Sequence, residues 1–423
     1  MNILFLSHYF PPEVNAPASR TYEHCREWVK QGNQVTVITC FPNHPNGVVY
    51  KGYKNRLYQK ETVDGIQVIR LWTYLAANEG FAQRILNYLS FMVMAVLLCF
   101  KAPKADVVVS TSPQFFCGLA GYFVSFFKRA KWVLEIRDLW PESIVAVGAM
   151  KKGLMIRLLY RLELFCYRAA DAIVAVTDSF KDYMVKRGID PEKIRVIKNG
   201  VSLDIYDIND TPEILAKVDQ FKAEYQLNDK FVAAYVGTHG MAHHLETLLQ
   251  AAKLIKDCPN IVFLLVGDGA ERENLLKLRK DLGVESQVVM VKQLPKAMMP
   301  VVWRASKVSI VHLRKSPTFE SVIPSKIFES LAMKKPILHG VQGESAVLVN
   351  KSQGGICFEP ESAAQLAQAV KDLYLNPQRL TEMSEAGREF VLEHYNRTKL
   401  AEDFLALFDE VYSTGKLSGA ASR

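Results

Sequence analysis

The chain has 423 residues, more than one ordinary hydrophobic core organises, so two domains are expected. Hydrophobic residues at 49% and charged residues at 23% exclude a disordered or fibrous protein. A net charge of +8 is too small at this length to indicate nucleic-acid binding, although it suits an acidic small substrate or an anionic membrane surface, and seven cysteines without paired spacing exclude a disulfide framework.

The opening Met1-Asn2-Ile3-Leu4-Phe5-Leu6 is apolar without a basic leader. It runs into His8-Tyr9-Phe10-Pro11-Pro12 and not a small-residue cleavage site, so it reads as a buried strand, Asn2–Ser7. Further strands are predicted at Gln34–Thr39, Gln67–Leu71, Val107–Thr111, Trp132–Ile136, Ala172–Val176 and Ile194–Ile197. Helical patterns at Ala18–Gln31, Phe81–Phe100, Gln114–Arg129, Gly153–Ala169 and Asp178–Arg187 alternate with them, which indicates a parallel sheet covered on both faces. Ile85–Phe100 is strongly apolar but falls short of the ~20 residues a spanning helix needs. With Phe115–Phe127, which ends in Lys128-Arg129, it reads as buried core helix, the alternative being an interfacial membrane face.

The pattern restarts after the turn signal Lys198-Asn199-Gly200-Val201. Asp204–Leu227 reads as a polar connection. Strands follow at Phe231–Val236, Ile261–Val266, Val288–Val291, Val308–Val311, Ile337–Leu338 and Gly355–Phe358, with helices at Leu245–Lys256, Ala270–Leu282, Met298–Arg304, Ser325–Met333, Ala363–Leu375 and Pro377–Tyr395. The expected architecture is α/β, with two tandem doubly wound parallel-sheet (Rossmann-like) domains, residues 1–198 and 199–395, and ligands at the carboxyl ends of their strands in a cleft between them. A last helix from Asn396 to Tyr412 is expected to pack back on the first domain, with residues 415–423 a small, polar, frayed end.

The segment Pro324-Ser325-Lys326-Ile327-Phe328-Glu329 carries the strongest chemical signal. Pro324 suits a helix entry and Ser325 an N-cap. Lys326 and Glu329 are three apart and share a helical face, a cation for phosphate and a carboxylate for sugar hydroxyls. Gly237-Thr238-His239-Gly240 and Gly267-Asp268-Gly269 each follow a strand and precede a helix, as phosphate-cradling loops do. His239, His243 and His244 have no carboxylate partner on their loop, so no metal is expected. Arg314 and Lys315 follow a strand end, where a cation can meet a diphosphate. In the first half, Glu13-Val14-Asn15-Ala16 and Arg137-Asp138-Leu139-Trp140 occupy strand ends.

Taken in order, these pieces resemble a retaining glycosyltransferase of family 4 with the GT-B fold, in particular its WbuB-like bacterial subgroup. The resemblance covers essentially the whole chain, from Tyr9-Phe10-Pro11-Pro12-Glu13 through Asp138-Leu139-Trp140-Pro141-Glu142-Ser143 to Pro324–Glu329. It implies hexosyl transfer, with acceptor binding in the N-terminal domain near Asn15, Ala16 and Trp140. Donor binding in the C-terminal domain would fall to Gly237, Thr238, His239, Gly240, Gly267, Asp268, Arg314, Ser321, Ser325, Lys326 and Glu329. Arg137, Asp138 and Lys326 would serve the chemistry. Glu329 matches the second glutamate of the family's Glu-x7-Glu motif, the one that holds the donor ribose, whereas the first falls on Ser321, one residue after Glu320. The donor implied is a nucleotide diphosphate sugar, UDP-sugar favoured, with no other cofactor. The acceptor implied is a polyprenyl-diphosphate-linked saccharide, met by a peripheral protein on the inner face of the cytoplasmic membrane. Alternatives are a nucleotide-sugar 2-epimerase of the same fold and a non-catalytic sugar-nucleotide-binding protein.

Overall fold

The computed structural model describes residues 1–76, 81–146, 153–206 and 208–414. They form two compact units, Met1–Lys198 with the chain from Arg397 onward, and Asn199–Asn396.

The first unit is built on eight strands: β1 (Asn2–Leu6), β2 (Gln34–Cys40), β3 (Tyr58–Val63), β4 (Ile66–Leu71), β5 (Val107–Thr111), β6 (Lys131–Ile136), β7 (Ala172–Ala175) and β8 (Ile194–Val196). Their order in the sheet is β3-β4-β2-β1-β5-β6-β7-β8. Ile3 to Leu6 are all at most 2% exposed, which suits a strand covered on both faces. The strand order reverses beside β1, and ligands of such sheets bind just beyond the strand ends at that point. β3 departs from the expected all-parallel sheet. It pairs antiparallel with β4 through a two-residue turn, Asp64 at φ +47° and Gly65 at φ +80°. Half-exposed along its length, this edge strand carries too weak an apolar pattern to be seen in the sequence.

One face of the sheet packs against helices Ala16–Lys30 and Arg397–Thr414, where Trp28 is fully buried and its indole N–H donates to the Ala401 carbonyl at 3.0 Å. The other face carries helices Phe81–Leu98, Phe115–Lys128 and Leu154–Ala169. Phe115–Lys128 is largely buried as expected. Phe81–Leu98 is not, since only 22% of the apolar window Gln83–Lys101 is buried and Leu86, Val93 and Leu97 are exposed. The core-helix reading of that segment is therefore corrected.

The second unit has six parallel strands: β9 (Phe231–Val236), β10 (Ile261–Val266), β11 (Val288–Val291), β12 (Val308–His312), β13 (Ile337–Gly340) and β14 (Gly355–Cys357). They are ordered β11-β10-β9-β12-β13-β14, so the reversal lies between β9 and β12. The segment expected to be a polar connection contains a helix, Pro212–Glu224. The Thr211 hydroxyl accepts from the Ile214 N–H and Pro212 occupies the first turn, while the helix buries only Val218 and Phe221. So narrow an apolar stripe gives little periodicity to read. Residues 415–423, expected to be a frayed tail, lie outside the described residues.

Candidate functional site

At the carboxyl end of β9 the chain turns through Gly237 at φ +150°, a conformation that favours glycine. Lys326 opens helix Lys326–Ala332 and reaches this turn. Its ammonium lies 3.9 Å from the centroid of the Tyr235 ring, a cation–π contact. A Cβ on Gly237 would stand 2.7 Å from the same nitrogen, so a side chain there would push the ammonium from its present position. Desolvation pulls the Lys326 pKa down to about 7, offset in part by the Glu329 carboxylate one turn on. Lys326 and Glu329 both remain partly exposed.

The two glycine loops interlock. His239 N–H donates to the Asp268 carbonyl at 2.8 Å, and Glu271 N–H to the His239 carbonyl at 2.9 Å. Gly267, at φ +155°, sits so close that an added Cβ would meet the Gly237 carbonyl oxygen at 1.8 Å. Asp268 turns its carboxylate onto the Gly269 N–H at 2.8 Å. The Thr238 carbonyl accepts from the Tyr235 hydroxyl at 2.9 Å. His239 is fully buried with neither ring nitrogen partnered. Burial, followed by the charge of Arg272, holds its pKa at about 4, and burial and then Lys326 hold His243 at about 3. Both imidazoles are therefore neutral near pH 7, so the positive charge at these loops comes from Lys326 and from Arg272, whose guanidinium donates to the Gly267 carbonyl at 3.1 Å. Gly240 has an ordinary φ of −118° and makes no special conformational demand.

Other expected residues have more limited roles. Arg314 is exposed and donates its N–H to the Ala242 carbonyl at 2.8 Å. Lys315 is exposed and pairs with Glu359 at 2.6 Å. Ser321 donates its hydroxyl to the Thr318 carbonyl at 3.3 Å, at the end of helix Pro317–Glu320. Ser325 does not cap its helix through its side chain, correcting the N-cap expectation. Its own φ −60° and ψ −27° are already helical, whereas a capping hydroxyl needs the extended conformation to reach forward.

In the first unit, Asn15 caps helix Ala16–Lys30, its Oδ1 accepting from Ala18 N–H at 2.8 Å while the buried Nδ2 has no partner. Ala16 is exposed beside it. Arg137 donates to the carbonyls of Ala16 at 3.2 Å and Pro17 at 3.3 Å, so it anchors this loop. Burial lowers its pKa to about 9, against the pull of Glu135. Asp138 accepts from the Ser143 hydroxyl at 3.1 Å, and burial raises its pKa. Trp140 stacks on Phe115 with ring centroids 4.8 Å apart.

Sequence reading missed the buried pair beneath this loop. Arg20 and Glu135 meet at 2.8 Å with side chains 2% exposed, and Thr111 donates to the same carboxylate at 2.5 Å. Burial pushes the Glu135 pKa up, but Arg20 and Arg137 overcome it and hold it below the usual carboxylate value. Arg20 also donates to the carbonyls of Ile197 at 3.0 Å and Lys198 at 2.9 Å. Nothing local marks this pair, since its members are 115 residues apart.

Two Rossmann-like sheets, each with a loop-rich strand end, define the GT-B class of glycosyltransferases. Residues 15–200 match the glycosyl transferase 4-like domain and residues 217–390 the glycosyl transferases group 1 domain. The chain belongs to glycosyltransferase family 4. It is 24% identical over 415 residues to an Escherichia coli K12 protein, WcaI, whose name assigns it to colanic acid biosynthesis, covering 96% of this chain and 99% of that one. It is 24% identical over 327 residues to CapM of Staphylococcus aureus, a capsular polysaccharide biosynthesis glycosyltransferase, covering 75% and 80%. Among solved structures, Anabaena HepE with UDP and glucose superposes with a TM-score of 0.70 at 15% identity, covering 96% of this chain and 99% of that one.

Proposed function

We propose that this glycosyltransferase moves a hexosyl group, a deoxy or N-acetylamino-deoxy sugar, with retention from a UDP-sugar to a polyprenyl-diphosphate-linked saccharide during assembly of a bacterial surface polysaccharide. The observation that carries the reading is the Lys326 ammonium held against the Gly237 turn, with Glu329 one turn on. That is a diphosphate grip beside a ribose grip. The names of WcaI and CapM support the polysaccharide role, and HepE, solved with UDP and glucose, supports the donor class.

With Ser321 where a second donor-side carboxylate would stand, double displacement lacks its nucleophile there. A front-face reaction fits better. The leaving diphosphate, stabilised by Lys326 and loop N–H groups, accepts the acceptor's proton as the new glycosidic bond forms on the face it leaves. Glu329→Ala should weaken UDP binding roughly tenfold to a hundredfold, the worth of charge-assisted hydrogen bonds to hydroxyls, as read by calorimetry. Unchanged affinity would remove Glu329 from the ribose.

The membrane part of the proposal rests on a surface shared by three helices. Leu97 and Phe100, then Phe126 and Phe127, then Leu154, Met155 and Leu158 are exposed. Phe100 meets Phe127 at 5.8 Å, and Tyr122 meets Phe165 at 4.9 Å, contacts that tie the three helices together. Exposed Arg157 and Arg161 lie along the third helix. Apolar side chains among cations are the pattern of an interfacial, anionic-lipid-binding face. Leu97→Glu with Phe126→Glu should reduce cosedimentation with phosphatidylglycerol vesicles at least tenfold, since each buried side chain is worth roughly 1.5–3 kcal/mol. Equal cosedimentation of this variant and the wild type would place membrane contact elsewhere.

A further inference from the structure

At the amino ends of β6 and β7 the first unit holds an open groove of about 560 Å³, within the size range of small-molecule sites. Tyr122, Phe126, Phe127, Trp132 and Ala169 line it, together with the charged groups Arg129 and Asp171. Arg137 and Asp138 follow the other end of β6, a six-residue strand of roughly 20 Å, so the groove is remote from the chemistry described above. We propose that this groove takes an acyl chain of an anionic phospholipid, with the lipid's phosphate against Arg129. The inference rests on the membrane contact proposed above and gives that contact a lipid site of its own.

The groove is held open by fixed parts. Arg129 ends helix Phe115–Lys128 in the left-handed conformation, φ +52° and ψ +41°, and the Ala130 N–H returns to the Ser125 carbonyl at 3.0 Å. Phe126, just before this turn, is 71% exposed. Trp132 is pinned on three sides. Its indole N–H donates to the Ser110 hydroxyl at 2.9 Å, its backbone N–H donates to the Asp171 carboxylate at 2.8 Å, and Tyr122 meets its ring edge-on at 5.9 Å. Gly121 lets these parts approach, since a Cβ there would stand 2.4 Å from the indole nitrogen. Asp171 is committed to the Trp132 N–H and to Lys131, 3.6 Å away.

Charge selects the occupant. Helices Phe81–Leu98, Phe115–Lys128 and Leu154–Ala169 carry Arg84, Lys128, Arg157, Arg161 and Arg168 against a single carboxylate, Glu163. Glu163 is buried and paired with Arg187. The Lys128 ammonium is spent on the carbonyls of Ala102 at 2.7 Å and Pro103 at 3.0 Å. Arg129 is exposed and has no carboxylate partner among the described residues. A groove walled by aromatic rings, with one uncommitted guanidinium, fits a ligand that is apolar along its length and anionic at one end.

The test uses full-length protein, phosphatidylglycerol vesicles with brominated or plain acyl chains, and monomeric dihexanoylphosphatidylglycerol beside its phosphatidylcholine counterpart. Bromine quenches an indole only on close approach, so brominated vesicles should quench emission in the wild type and not in Trp132→Phe. Ala169→Phe fills the groove and should abolish that quenching while cosedimentation with vesicles stays unchanged. Arg129→Asn, which tolerates the left-handed turn, should weaken the monomeric phosphatidylglycerol roughly tenfold and leave the phosphatidylcholine unaffected. Thermal midpoints report whether each variant folds, and Arg129→Asn decides alone if Ala169→Phe does not. Quenching that survives in Trp132→Phe or Ala169→Phe, or equal wild-type affinity for the two monomers, would overturn the lipid site. So would a dimer in sedimentation that lipid does not disperse, since a second copy would then fill the groove. Vesicle binding without quenching of Trp132 would overturn the groove and leave the membrane surface standing. Monomer binding without vesicle binding would overturn the surface and leave the groove.

Discussion

Replacing Lys326 with alanine should lower kcat roughly 10²–10³-fold, the effect of removing one preorganised donor to developing negative charge. His239 and His243 cannot substitute, because burial keeps both neutral near pH 7. The pH dependence is as informative. Free Lys326 loses its proton near pH 7, well below its ordinary 10.5. Bound diphosphate raises that value, so UDP binding above pH 7 takes up a proton. UDP affinity should be flat below about pH 7 and fall above it, and calorimetry in buffers of different ionisation enthalpy should count the proton. Stability of the free protein moves the opposite way. The unfolded chain keeps the lysine proton to a higher pH, so stability contributed by this group rises between about pH 7 and 10.5. Lys326→Arg, which cannot deprotonate in this range, should flatten the affinity profile. An unchanged profile in Lys326→Arg would show that another group titrates.

Gly267→Ala should be the most damaging single-methyl change in the second unit. The new Cβ would stand 1.8 Å from the Gly237 carbonyl oxygen and 2.9 Å from its carbon, at a φ of +155° that side chains rarely adopt. Neither loop can yield easily. Gly237 N–H is bonded to the Val266 carbonyl at 2.9 Å and Gly267 N–H to the Val291 carbonyl at 3.0 Å. Relief requires prising the two loops apart, at a cost of about 3 kcal/mol or more from strain and overpacking combined. It also moves the turn that receives Lys326, so UDP affinity should fall more than tenfold beyond the loss of stability. Gly240→Ala is the matched control, since its nearest neighbour would be the Thr238 methyl at an ordinary 3.5 Å. Equal midpoints for the two variants in thermal unfolding would refute the interlock.

The sequence made the strands of the second unit legible almost residue by residue, because each is a short, continuous apolar run between glycine-bearing loops. β9, β10 and β11 lie at the boundaries their composition implies. The glycine loops and Lys326 were legible for the same reason, as small residues and a cation recur just past strand ends. What stayed hidden has a weak apolar pattern or depends on a partner far away in the chain. The pair Arg20–Glu135 carries no local signal, while the half-exposed strand β3 and the narrow-faced helix Pro212–Glu224 have only their turn and cap residues, Asp64-Gly65 and Thr211-Pro212, to mark them. Helix Phe81–Leu98 misled in a different way. Its composition is that of a core helix, and only the lack of neighbours over Leu86, Val93 and Leu97 shows otherwise. The Ser325 expectation failed on one dihedral pair, which no sequence pattern specifies.

The last helix has a consequence for how this chain can be divided. Because Arg397 pairs with Glu23 at 2.9 Å and Phe404 and Phe408 pack on Trp28, the first unit is discontinuous in sequence and the second is an insertion within it. The insertion's two ends run side by side, with Val201 bridged to Asn396 and its N–H bonded to the Tyr395 carbonyl at 3.0 Å. A segment whose ends already meet can be lifted out or closed by a short linker without stretching either flank. A cut just before Arg397 would have the reverse outcome. It would spare the core of the second unit and strip a layer from the core of the unit that begins with Met1, so cleavage there that releases the last helix should destabilise the first unit alone.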